Sequence, residues 1–193
     1  MKTIKKALKR VFCWSFGHIL VLFGRFDKKY LTGEYFKGDK SGPFSIGWEW
    51  VVHDWHSCRK LHRNVDVPWP VSPLISIVNW QNIEFSPNDL NNFQGVGNYF
   101  QADGPIVIGE GTYIAQNVGI ITANHDLTDP KNRLEPKAVI IGEKCWIGMN
   151  AMILPGVTLG PHTVVGAGAI VTKSFPDGNC VIAGNPAKLI RNL

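Results

Sequence analysis

Ile141-Gly142-Glu143-Lys144-Cys145-Trp146-Ile147-Gly148-Met149-Asn150-Ala151-Met152-Ile153-Leu154-Pro155-Gly156-Val157-Thr158-Leu159-Gly160 repeats itself every six residues. Aliphatic anchors stand at Ile141, Ile147, Ile153 and Leu159 and continue at Val165 and Val171. On the N-terminal side the same spacing joins Ile108, Ile114 and Ile120. In six of the nine cases the next position is small: Gly109, Ala115, Gly142, Gly148, Gly160 or Gly166. The position four after each anchor is mostly small: Thr112, Val118, Cys145, Ala151, Val157, Thr163 and Ala169. A period of six suits neither an amphipathic helix nor a half-buried strand. It suits a chain that turns a corner every six residues and buries one aliphatic side chain per flat face, a parallel β-helix. Small residues at the fifth position suit tight corners. The glycines after the anchors are expected to serve backbone conformations that a Cβ hinders.

The repeat breaks once. Ile120 to Ile141 is 21 residues where the period asks for six, so about fifteen residues leave the coil, and His125 opens that loop.

Outward from the repeat, regularity fades. Residues 74–107 read as imperfect first coils, with apolar positions at Ile75, Ile77, Ile83 and Phe85 and a loop through Pro87–Asn92. Irregular end coils are expected, because a terminal repeat must cap the stack. Residues 31–80 are rich in Trp, Gly and Pro (Trp48, Trp50, Trp55, Trp69, Trp80; Pro43, Pro68, Pro70, Pro73) and read as an irregular lead-in with short strands. Trp69-Pro70 does not fit inside a helix. Residues 1–30 read as helical. After the turn at Pro176-Asp177-Gly178, the tail Val181–Asn192 reads as a strand with an option of a short helix. The domain reading is a helical and irregular N-terminal region, 1–74, and a β-helix with a C-terminal tail, 75–193.

The chain of 193 residues carries a formal charge of +5, but Lys2, Lys5, Lys6, Lys9 and Arg10 lie in the first ten positions. The remainder balances, which argues against a nucleic-acid surface. Cys13, Cys58, Cys145 and Cys180 have no metal-site spacing, and Cys145 falls at an inward position. The chain reads as cytoplasmic and reduced. Val11–Gly24 is an apolar run behind a basic head, too short to span a bilayer, which needs roughly 20 residues. It has the charge order of a signal peptide without a clear cleavage site. Ile4, Leu8, Val11 and Phe12 can share one apolar face, with Lys2, Lys5, Lys6 and Lys9 beside or opposite it. That leaves three readings for residues 1–24: packing on the chain's own domain or a neighbouring subunit, peripheral contact with the inner membrane face, or a signal.

Further motifs accompany the repeat: Ile120-Ile121-Thr122-Ala123-Asn124-His125-Asp126, Val165-Gly166-Ala167-Gly168-Ala169-Ile170-Val171-Thr172-Lys173 and Ala183-Gly184-Asn185-Pro186-Ala187-Lys188. Together with residues 142–160 they resemble the hexapeptide-repeat acyltransferases. The similarity is closest to the galactoside and maltose O-acetyltransferases and to the enzymes that acetylate bacterial surface polysaccharides. It covers about residues 95–193. Residues 1–94 do not resemble the short helical cap of the galactoside enzymes.

The resemblance implies a mainly β fold, a left-handed parallel β-helix, despite the usual right-handed crossover. It implies a homotrimer with active sites between neighbouring subunits, acetyl-CoA as co-substrate and no metal. His125 matches the family's catalytic histidine. Trp146 matches a groove-lining Trp, with packing on a trimer seam as the alternative. Met149, Ala167, Gly168, Thr172 and Lys173 match cofactor contacts, as do Lys188 and Arg191 in the tail; ordinary surface charge is the alternative for the three cations.

Transfer of an acetyl group from a thioester to an alcohol needs a base, because the hydroxyl does not ionise by itself near neutral pH. A histidine suits that task. Asp126, Asp129 and Glu135 are candidates to orient it. Candidate acceptor contacts are Asn92, Tyr99, Gln101 and Asp103, which are polar or aromatic as sugar binding requires, and Asn117, for which a corner hydrogen bond is the competing role. His162, after Pro161, reads as an exposed corner residue.

The function expected is O-acetylation of a sugar or sugar-containing glycan, possible in surface polysaccharide biosynthesis. The alternative is N-acetylation of an amino-sugar nucleotide or another small acceptor at the same acyl-CoA site. A zinc carbonic anhydrase on this fold needs three His ligands, and only His125 and His162 occur after residue 62. A purely structural β-helix leaves the loop histidine and the basic tail without a use.

Overall fold

A computed structural model describes residues 2–37 and 45–193; Pro43 of the lead-in lies outside them. The chain divides into two compact units, 1–73 and 74–193.

In the first unit, α1 (Lys2–Leu22) and α2 (Ile46–Leu61) pack around Leu20, Phe26 and Val51. Helix α2 corrects the reading of 31–80 as an irregular lead-in with strands. Its apolar residues Trp48, Val51, Val52, Trp55 and Cys58 recur at helical spacing, and its ends carry the expected charges, Glu49 first and Arg59 and Lys60 last. The aromatic and Gly-rich composition hid that pattern. Gly17 admits the edge of Trp48, whose ring atom lies 2.7 Å from where a Cβ would stand. Glu49 accepts hydrogen bonds from Lys9 at 2.6 Å and Arg10 at 3.4 Å. Burial pushes the Glu49 carboxyl up, but the two cations outweigh it and hold it below the usual range.

The second unit is a left-handed parallel β-helix. Its coils run β1 (Ser76–Val78) and β2 (Ile83–Phe85); β3 (Tyr99–Gln101), β4 (Ile106–Ile108) and β5 (Tyr113–Ile114); β6 (Gly119–Ile121), β7 (Val139–Ile141) and β8 (Trp146–Ile147); β9 (Met152–Ile153), β10 (Thr158–Leu159) and β11 (Thr163–Val165); then β12 (Ile170–Val171), β13 (Cys180–Ala183) and β14 (Lys188–Asn192). Strands stack into three sheets, one per face of the prism: β1-β3-β6-β9-β12, β2-β4-β7-β10 and β5-β8-β11-β13-β14. All pairings are parallel except β13 with β14. The tail is thus a strand pair, and the option of a short helix there is corrected.

The anchors form the core. Phe100, Ile120, Ile153 and Val171 share one register row; Ile108, Ile141 and Leu159 share the second; Ile147, Val165 and Ile182 share the third. All are buried, while Ile114 at the start of the third row is half-buried. The small residues at the fifth position, Thr112 to Ala169, point inward and are buried as well.

The glycines after the anchors serve a different purpose from the one expected. None of Gly109, Gly142, Gly148, Gly160 and Gly166 has a positive φ. A Cβ on Gly142 would stand 2.6 Å from the Pro161 nitrogen, and one on Gly148 would stand 2.6 Å from the Ala167 nitrogen. They are glycines because the next coil lies against them. The left-handed backbone falls instead at the fourth residue of the hexapeptide: Gly111, Asn117, Lys144, Asn150, Gly156, His162 and Gly168 all have φ between 53° and 83°. His162 is accordingly an exposed corner residue.

Among the described residues, no strand of the first coil occupies the third face. The segment Pro87–Phe93, helical turns kinked at Asp89, stands there instead. Side chains replace the missing ladder. Asn92 donates to the Thr112 carbonyl at 2.8 Å and accepts from the Ile114 amide at 2.9 Å, and Asp89 accepts from the Gly111 amide at 3.0 Å.

Candidate active site

The interruption lies between β6 and β7, at the corner joining the first and second faces. It is an antiparallel hairpin. Thr122 and Lys137 form its neck, with the Lys137 amide donating to the Thr122 carbonyl at 2.7 Å. The buried Thr122 hydroxyl donates to the Gln101 carbonyl at 2.7 Å and accepts from the Gly104 amide at 2.8 Å, so the neck is fixed to the coil below. Leu134 pairs back to Asn124, Asp126 to Asn132, and His125 bridges Arg133.

His125 is exposed on this hairpin, in a concavity with Asn124, Asp126, Leu127, Pro130 and Leu134. Its Nδ1 lies 2.6 Å from the Pro130 carbonyl oxygen. A carbonyl only accepts, so Nδ1 carries the proton in this contact and the neutral ring keeps its lone pair on Nε2. The orienting partner is therefore a backbone carbonyl. Asp126, proposed for that task, instead closes the turn: it accepts from the Thr128 amide at 2.7 Å, the Thr128 hydroxyl and the Asp129 amide. The Thr128 hydrogen bonds hold its carboxyl below the usual range. Asp129 accepts from the Lys131 amide at 3.1 Å and from Asn132, and Glu135 is exposed. Sequence reading had no signal for Pro130, because the group it supplies is common to every residue.

The remaining candidates fall on two edges and two faces. Thr172 and Lys173 occupy the same first-to-second corner as the hairpin, two coils on, and are exposed. Lys173 Nζ stands 5.6 Å from the Phe175 ring centroid. Met149, Ala167, Gly168 and Asn117 form one column along the third-to-first corner. There the Gly168 amide donates to the Met149 carbonyl at 2.8 Å, and the Asn150 amide to the Gln116 carbonyl at 3.2 Å. The space that a Cβ on Gly168 would enter is open. Trp146 lies on the third face beside this column, 58% exposed, in register with Tyr113 and Val164. Lys188 and Arg191 line the exposed strand β14 of that face.

Among the acceptor candidates, Asn92 is corrected. It is 2% exposed, and its amide already bridges the first coil to β5. Asp103 accepts from Asn79 at 2.8 Å and pairs with Arg133 at 3.3 Å, tying the hairpin to the first coil. Asn117 turns a corner with φ 58°. Tyr99 is exposed on the first face; Gln101 is half-buried there, and its amide oxygen has no hydrogen-bond partner among the described residues. Among the described residues, no group of three or more His, Cys, Asp or Glu could hold a metal ion. Cys13, Cys58, Cys145 and Cys180 are buried free thiols, and burial pushes the Cys145 thiol up.

Comparison with known proteins agrees with this architecture. Residues 138–173 match the bacterial transferase hexapeptide family (six repeats). The Escherichia coli protein WcaF, named for an acetyltransferase role in colanic acid biosynthesis, is 42% identical over 88 residues, 46% of this chain and 48% of WcaF. Escherichia coli galactoside O-acetyltransferase is 37% identical over 94 residues, 47% of this chain and 46% of that enzyme. The chain spans about half the length of the first curated relatives it matches. A solved structure of galactoside acetyltransferase in complex with coenzyme A superposes with a TM-score of 0.55 at 30% identity, covering 64% of this chain and 61% of the other. Fold, repeat and sequence agree that the β-helical unit of this chain is similar to the hexapeptide-repeat acyltransferases.

Proposed function

We propose that this chain is an acetyltransferase that moves the acetyl group of acetyl-CoA to a hydroxyl of a sugar or sugar-containing glycan, with His125 as general base. The observation that carries the reading is the 2.6 Å contact of His125 Nδ1 with the Pro130 carbonyl. It leaves Nε2 as a proton acceptor on an exposed loop at the one long break in the repeat. Nε2 takes the acceptor hydroxyl's proton as the oxygen bonds to the thioester carbonyl carbon. The tetrahedral intermediate then collapses, the carbon–sulfur bond breaks, and the imidazolium returns the proton to the departing thiolate. The printed names of the relatives, a galactoside enzyme and a colanic acid biosynthesis enzyme, support a sugar or surface glycan as acceptor.

On the donor side, Met149, Ala167 and Gly168 offer backbone along an edge with little side-chain bulk, beside Trp146. Lys173, Lys188 and Arg191 carry charge suited to the phosphates of coenzyme A. Thr172 adds a hydroxyl next to Lys173. Tyr99 and Gln101 remain the acceptor-side candidates. His125 stands on one edge of the prism and the Met149–Gly168 column on another. That separation supports a site completed between copies, in a homotrimer. The exposed apolar side chains Leu127, Trp146 and Met149 suit such a seam.

Thiol release from acetyl-CoA, measured against a panel of sugars, nucleotide sugars and polysaccharide fragments, tests the reaction. His125→Ala lowers turnover by about 10²–10⁴ on the productive acceptor; undiminished turnover rejects the mechanism. Turnover with amines alone reassigns the chemistry to N-acetylation. Mixing His125→Ala subunits with Gly168→Trp subunits, each inactive alone, restores about a quarter of the sites if they form between copies by random pairing. No recovery in a mixture whose subunits have exchanged refers the site to one chain.

A further inference from the structure

Helix α1 carries two apolar stripes, and the first unit uses one. Cys13, Gly17 and Leu20, spaced four and three apart, are buried. Ile4, Leu8, Val11, Phe12, Ile19 and Leu22 recur on the opposite side of the helix, and the last turn of chain adds Phe23, whose amide still donates to the Ile19 carbonyl at 3.0 Å. These seven side chains are between 43% and 82% exposed. A 21-residue helix extends about 30 Å, and the stripe runs its length with one polar step, the exposed Ser15 between Phe12 and Ile19.

The charge beside the strip is one-sided. Helix α1 contains no acidic residue. Residues 1–37 hold nine Lys and Arg against Asp27 and Glu34 alone. Lys9 and Arg10 are engaged by Glu49, while Lys5, Lys6 and Lys28 are exposed. A second copy seated on the strip would bring another acid-free helix and its cations against the first. A surface that is negative outside and hydrocarbon beneath matches both halves of the pattern. The apolar rings of Phe12 and Phe23 suit the hydrocarbon side of the boundary between the two. Among the described residues no helix is long and apolar enough to cross a membrane, so the geometry is a helix lying in the surface plane.

We infer that α1 is an interfacial helix that docks the chain on an anionic lipid surface, with Ile4, Leu8, Phe12, Ile19, Leu22 and Phe23 entering the headgroup–acyl boundary and Lys5 and Lys28 meeting lipid phosphates. The inference is independent of the acetyl-transfer chemistry. Co-sedimentation of the full chain with phosphatidylcholine vesicles, with and without phosphatidylglycerol, tests it. The expected result is binding to the phosphatidylglycerol vesicles that weakens with added salt. The double substitution Leu8→Glu/Phe12→Glu removes it by at least about tenfold in partitioning. Lys5→Gln/Lys28→Gln lowers the preference for anionic vesicles by a similar factor. All four positions are exposed, and unchanged circular dichroism identifies a folded variant; Ile4→Ser/Leu22→Ser is the second pair should the first misfold. Failure to bind anionic vesicles overturns the proposal, as does binding that the apolar substitutions leave intact. An oligomer that dissociates in Leu8→Glu/Phe12→Glu without vesicles assigns the strip to a second copy, and also overturns it.

Discussion

The coils and the hairpin at 122–138 are held by opposite means. A coil residue such as Ile153 is fixed by burial and by ladders to the coils on both sides. A hairpin residue such as His125 is exposed and fixed by local hydrogen bonds, its own to Pro130 and those of Asp126 and Asp129 around the turn. The stack therefore draws its stability from burial and ladders. The hairpin holds His125, the proposed base, outside the coil, and β6, β7 and their neighbours stay paired around it.

Substitutions can break that division in order of size. Ile153→Ala, in the fully buried row, lowers unfolding stability by about 2–5 kcal/mol, read by urea denaturation; a loss below 1 kcal/mol would show that the coils tolerate cavities. His125→Ala leaves the unfolding free energy within about 0.5 kcal/mol while removing turnover, so a large stability loss would merge the two regions again. Asp126→Asn is smaller. The depressed Asp126 carboxyl contributes order to the hairpin above its unfolded pKa of about 3.9. That contribution is lost as pH falls through its lower folded value. Amide exchange at Thr128 and Asp129 should rise at acid pH in the native chain, and the variant should lose that dependence. Arg133→Ala is smallest, with a loss of at most about 1 kcal/mol from its pair with Asp103, read as a small fall in the urea midpoint; an unchanged midpoint would show that the pair adds nothing to the hold on the hairpin.

The same contrast explains what could be read from the residues alone. The anchors Ile120 to Val171 were legible because each hexapeptide repeats one environment, and a local pattern suffices to locate it. The glycines after the anchors were legible in position but not in purpose, since the neighbour that excludes a Cβ, Ala167 above Gly148 for example, is a whole coil away. Helix α2 escaped because Trp48, Trp50 and Trp55 give a weak helical signal amid Gly and Pro. Asn92 looked like a sugar contact and proved to be a substitute for a strand, because a buried amide and a ligand-binding amide are the same residue type in a sequence. The Pro130 contact had no side-chain signature at all.

The antiparallel strand β14 has a consequence beyond its candidate role with Lys188 and Arg191. A stack of parallel coils presents at its last turn the same open backbone that each coil offered the next, and so is a template for endless growth. By folding back along β13, β14 covers the third sheet's terminal edge with a strand of reversed direction, exposed along its length and carrying Lys188 and Arg191. At the other end the kinked segment Pro87–Phe93 occupies the matching position without a strand. Among the described residues, neither end of that face offers a parallel edge of this register, so the third sheet is closed to the edge-to-edge pairing by which stacked strands grow into fibrils.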